Sequence, residues 1–188
     1  MRAFLSASAI LLASVAGANA ATVSYVDSAP VPVANPAPIA TTGTVNQNLK
    51  TTVTNSYVSP WEGTDHYGTA TYTSVQGGSS ATYAHTGPLT FLWSTPDSYN
   101  TLSFYLGSSL VDSITGSSIV GQSSLLNGTA FVTIASAALF DTVVFSSGSN
   151  AFEYSFDVAP APVPLPAAGL LLLGGLGGLA ALKRRRSA

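Results

Sequence analysis

The chain has 188 residues, a formal net charge of −2 and no cysteine. That length suits one domain with targeting segments, and the missing thiols exclude disulfides, thiolate catalysis, cysteine zinc sites and lipidated-cysteine anchoring. The charge is unevenly spread: between Ala21 and Pro166, Lys50 is the only cation against eight carboxylates, so this stretch carries −7 and would repel a nucleic-acid backbone.

Residues 1–20 read as a secretory signal peptide. Arg2 supplies the positive start, residues 3–15 the apolar run, and Ala18 and Ala20 the small residues of a cleavage site that predicts cutting after Ala20. Residues 21–49 read as a Pro-rich extended lead-in. Pro30, Pro32, Pro36 and Pro38 recur closely, and their missing N–H groups and fixed φ argue against a central strand and for a plain linker.

From Lys50 to Asp157 short alternating segments follow one another between turn residues. Residues 51–58 and 67–75 are rich in Thr, Tyr and Val, and Gly77 to Ser80 read as a turn. Further strands are predicted over 81–85, 88–93, 98–106, 110–114, 130–135, 142–146 and 151–156, with Tyr99, Leu102, Phe104 and Leu106 alternating in one of them. Residues 119–126 are compatible with a short helical turn or a loop. Ser and Thr exceed a quarter of residues 21–166, as suits an extracellular β-rich chain. The expected fold is all-β, an antiparallel β-sandwich over residues 50–157.

A second extended linker, residues 158–162, leads to the C-terminal device. Val163, Pro164, Leu165, Pro166 and Ala167 precede an uncharged run through residue 182, closed by Lys183, Arg184, Arg185 and Arg186. As a helix, residues 167–182 would span about 24 Å. Extending it back to Val163 approaches the roughly 30 Å of a hydrocarbon core, with the basic cluster on the cytoplasmic side. This ordered pattern resembles the VPLPA variety of the PEP-CTERM sorting signals that exosortases process in Gram-negative bacteria, with Leu165 where the eponymous Pro-Glu-Pro has its carboxylate. An ordinary stop-transfer anchor is the competing reading, although five glycines in the run make a weak permanent helix.

The resemblance implies an exosortase as partner, transient residence in the inner membrane, and a destination at the cell surface or in extracellular polysaccharide. Within the body of the chain, residues 91–102, 140–147 and 151–154 resemble in rhythm a recurrent exosortase-sorted surface domain, which is similar in architecture to jelly-roll, carbohydrate-module-like sandwiches.

No motif assembles a catalytic centre. His66 and His85 have no metal-ligand spacing, serine is abundant without a nucleophile elbow, and Glu62 with Asp65 or Glu153 with Asp157 are exposed charges before they are a paired-carboxylate site. The expected role is therefore non-enzymatic, with no obligatory cofactor. Calcium pinned by loops is an open alternative, with Asp97, Asn100 and Glu153 as ligand candidates. Sugar stacking on Trp61 is another, because Trp61 stands between Pro60 and Glu62, whereas Trp93 shares a strand face with Phe91 and is expected in the core. Asn127, Gly128 and Thr129 form a formal glycosylation sequon.

Overall fold

The computed structural model describes residues 21–26, 28, 30–119 and 128–156. The expected leader, the 158–162 linker, the sorting signal and the Asn127 sequon position lie outside them. Among the described residues the first strands are β1 (Thr22–Tyr25), β2 (Ala40–Thr42), β3 (Val45–Leu49), β4 (Tyr72–Val75), β5 (Ser79–Ala84) and β6 (Leu89–Ser94). They are followed by β7 (Asn100–Leu106), β8 (Ser109–Thr115), β9 (Thr129–Ala135), β10 (Thr142–Ser147) and β11 (Phe152–Phe156). One 3-10 turn, Gly116–Ser118, lies between β8 and β9.

All strand pairing among the described residues is antiparallel. The first sheet runs β1-β9-β6-β11-β4-β3 and the second β2-β5-β10-β7-β8, and their inner faces close a β-sandwich. Period-2 alternation puts Phe91 and Trp93 of β6, Val132 and Ile134 of β9, and Phe152, Tyr154 and Phe156 of β11 on the inner face of the first sheet. Opposite them lie Tyr83 of β5, Leu102 and Phe104 of β7, and Val143 and Phe145 of β10. Phe145 joins the layers: its ring stacks on Tyr154 at 4.0 Å and meets Phe91 edge-on at 5.4 Å, while Trp93 stacks on Phe152 at 4.5 Å. Such pairs add about 0.5–1.5 kcal/mol beyond the area they bury. The Tyr83 and Tyr154 hydroxyls hydrogen-bond each other at 2.9 Å inside this core, and burial raises the pKa of both.

The expected boundary at residue 50 falls inside the sandwich. Of the expected lead-in, β1 pairs with β9, β2 with β5 and β3 with β4. The proline-rich residues 30–38 form no strand, but Asn35 pins them. Its Nδ2 donates to Thr71 O at 2.9 Å, and its Oδ1 accepts from Phe156 N at 2.9 Å.

The expected strand at 51–58 and the first part of the one expected at 67–75 are instead a run of turns, with strand beginning at Tyr72. Local side chains outcompete the ladder here. Thr64 Oγ1 donates to Trp61 O at 2.7 Å, Thr69 Oγ1 to His66 O at 2.8 Å, and Ser59 N donates to Thr52 Oγ1 at 3.0 Å. Gly63 and Gly68, at φ +79° and +78°, take bends that other residues resist. This long loop lies over the outer face of the first sheet, where Trp61 and Ala70 pack on Leu92 and Phe131 as a second small core.

Candidate functional site

A cleft of about 340 Å³ opens where the base of that loop meets two others. Residues 52–58 form one wall, the turn after β6 (Thr95, Asp97, Tyr99) a second, and the approach to β11 (Asn150, Ala151, Glu153) a third. Among the described lining residues none is Lys or Arg.

Glu153 lies mid-strand on β11, in register with Ser74 of β4 and Ser94 of β6. The alternation that sends Phe152 and Tyr154 inward turns Glu153 to the outer face, under the loop. It is 2% exposed. Its Oε1 accepts Val58 N–H at 3.0 Å and its Oε2 accepts Thr95 Oγ1 at 3.4 Å. Burial pushes the carboxyl up to about 7, the Val58 N–H pulls it back, and nearby Asp97 adds to the rise. Near neutrality the group thus shares its time between acid and carboxylate. The acid form keeps Oε1 as an acceptor and makes Oε2 a donor, so both oxygens remain engaged by the protein. This is a brace between loop and sheet rather than a free acid or nucleophile.

Asp97 is partly buried, and its Oδ2 accepts Tyr99 Oη at 2.6 Å. The same hydroxyl lies 2.9 Å from Asn150 O. Burial first, then the Asp97 hydrogen bond and charge, push Tyr99 up to about 12. One hydroxyl proton therefore faces two acceptors. The turn that carries Asp97 rests on Gly116, where a Cβ would collide with the Asp97 backbone N and O.

Of the three calcium candidates, Asp97 and Glu153 share this cleft, while Asn100 does not line it. Asn100 is fully buried, and its Oδ1 accepts Ser147 Oγ at 3.0 Å, tying the turn to β10. Among the described residues no group of three or more His, Asp or Glu could hold a metal.

The expectation of an exposed Trp61 is corrected: it is 0% exposed. Its indole is covered by the second small core and meets His66 edge-on at 5.4 Å, so it offers no face to a sugar. Trp93 is buried, stacked on Phe91 at 5.7 Å. Glu62 and Asp65 are exposed, Glu62 accepting from Thr52 Oγ1 at 2.7 Å. His85 is buried at the end of β5, its Nε2 3.2 Å from Pro88 O, and burial lowers its pKa. Asp157 lies outside the described residues, as do Ala18, Ala20, residues 163–167 and the basic cluster. Among the described residues no helix is long and apolar enough to cross a membrane.

Sequence reasoning missed Tyr57, Thr95, Tyr99 and the asparagines as one group, because residues more than ninety positions apart meet only through the strand order. The one local signal was turn chemistry: Asn55 precedes Ser56, and Asn150 ends a Ser-Gly-Ser run. Compared with protein-family models, curated proteins and solved structures, the chain matches none.

Proposed function

We propose that the chain is an exported, non-enzymatic protein of the cell surface or extracellular matrix, whose C-terminal signal an exosortase cuts after brief residence in the inner membrane. The observation that carries this reading is the ordered tail: Val163-Pro164-Leu165-Pro166-Ala167, an uncharged run to residue 182, and Lys183 to Arg186, paired with a leader ending at Ala20. Between these ends stands a cysteine-free, acidic, all-β body, which suits passage to an aqueous exterior.

In this reading the sandwich is jelly-roll-like. What supports that is the strand order: from β4 to β11 the chain alternates between sheets except for the β7–β8 hairpin, giving the neighbours β9-β6-β11-β4 and β5-β10-β7-β8. The non-enzymatic role is supported by Glu153, whose two carboxyl oxygens are taken up by Val58 and Thr95.

C-terminal peptide mapping of the mature protein, in strains with and without the exosortase, tests the proposal. The expected result is loss of Lys183 to Arg186 only where the enzyme is present. Retention of the basic end in both strains would identify a plain anchor.

A further inference from the structure

We propose that the cleft between residues 52–58, the Thr95–Tyr99 turn and Asn150–Glu153 binds an uncharged glycan segment, with Asp97 and Asn55 recognising hydroxyls and Tyr57 flanking a sugar ring. At about 340 Å³ the space falls at the small end of ligand sites, roughly 300–1,000 Å³. Its charge is one-sided, with Asp97 and Glu153 in the lining. Asp97 Oδ1 has no hydrogen-bond donor among the described residues, and the Tyr99 proton serves both Asp97 Oδ2 and Asn150 O. No Lys or Arg among the described residues lines the wall to receive an anion.

A ligand that fits must bring donors without negative charge, and a sugar's hydroxyls do so. The exposed amides of Asn55 and Asn150 complete a mixed donor–acceptor rim, while Tyr57 and Val58, both partly exposed, offer apolar surface for the C–H face of a ring. A small cation is the lesser fit, because the Glu153 oxygens are already engaged by Val58 and Thr95.

The walls are also held in advance of any ligand. Among the described residues three non-glycines have positive φ, and two of them, Asn55 at 62° and Thr95 at 41°, line this cleft. Asparagine adopts that region readily, but for β-branched Thr95 it is a true outlier, of the kind that gathers at ligand clamps. Thr95 is kept there by its contact with Glu153, and Asp97 by the close approach of Gly116. Stiff walls reduce the ordering cost of binding.

The test is isothermal calorimetry on the full chain in detergent. It is titrated with neutral cello-, manno-, xylo- and dextran-derived oligosaccharides, with polygalacturonate fragments, and with Ca²⁺ alone. The expected result is saturable binding to a neutral series, unchanged by EDTA, and none to polygalacturonate. Asp97→Asn should weaken it about tenfold or more, and Asn55→Gly severalfold. Ser113→Ala, on β8 away from the cleft, should bind as wild type. Glycine suits a φ of 62°, so Asn55→Gly keeps the test decisive even if Asp97→Asn fails to fold. The proposal is overturned if no neutral series saturates, if the polyuronate binds as well, if EDTA abolishes binding, or if the folded cleft variants bind as wild type. None of these outcomes depends on how the C-terminal tail is processed.

Discussion

Replacing Glu153 with Gln should abolish the pH dependence that this one carboxyl imposes on the fold. Burial raises its pKa from 4.5 to about 7, so between those values the native state holds a proton that the unfolded chain has released. Stability from this group is therefore highest below pH 4.5 and falls as pH rises, reaching its full loss above about pH 7. At 1.36 kcal/mol per pH unit the shift corresponds to about 3 kcal/mol, or roughly 10 °C in melting temperature for a domain of this size. His85 acts in the opposite sense: its pKa is lowered from 6.5 by burial, so stability is lost as pH falls below 6.5. The measurement is accordingly a difference curve, urea unfolding of wild type and Glu153→Gln in half-unit steps from pH 4 to 9. The glutamine carbonyl can still accept Val58 N–H, and its amide can donate towards Thr95. The variant should gain on wild type by about 3 kcal/mol across the window. Parallel curves would show that the carboxyl does not change its ionisation on folding and would refute the reasoning.

Other substitutions probe separate parts of the fold. Trp61→Ala should cost about 3–5 kcal/mol in urea unfolding, since it empties the small core over Leu92 and Phe131; a loss below about 1 kcal/mol would mean that the loop does not depend on it. Gly116→Ala forces a Cβ onto the Asp97 backbone and should cost about 1–3 kcal/mol in urea unfolding; no loss would mean that the cleft turn does not rest on Gly116. Tyr83→Phe and Tyr154→Phe each orphan the other hydroxyl and should cost about 1–2 kcal/mol. The double variant should cost less than their sum, and strict additivity would argue against the 2.9 Å hydrogen bond.

The core strands were legible because both signals coincide in them. In β6, β9, β10 and β11, β-branched and aromatic residues recur at period two; burial follows that period in β10, while β6, β9 and β11 are buried on both faces over most of their length. β7 agreed in part: Leu102 and Phe104 face inward, but Tyr99 precedes the strand and Leu106 is half exposed, the register shifting between Phe104 and Tyr105. The edge strands escaped notice because Ala40–Thr42 and Val45–Leu49 are short, polar and at most partly buried, so no apolar alternation marks them. Residues 51–71 misled in the other direction, since composition favoured strand while Thr and Ser side chains closed turns. Trp61 was misplaced for a related reason: flanking residues do not reveal that a loop folds back on the outer face of a sheet. Asp97 and Glu153 were singled out as oxygen ligands, and they do line one cleft. Their shared wall from residues 52–58 depends on tertiary folding that no spacing encodes.

The order β1-β9-β6-β11-β4-β3 also bears on how the protein comes to be folded. In the first sheet only β3 and β4 are consecutive strands, and β1 must wait for β9, more than a hundred residues later, before its edge is paired. A sheet interleaved in this way cannot be assembled from the N-terminus as the chain emerges. Closing such long loops before any contact rewards them makes folding slow. The first sheet would therefore stay incomplete until β9 and β11 are on the same side as β1, so a chain threaded linearly through a narrow channel would complete its sandwich only at the far end.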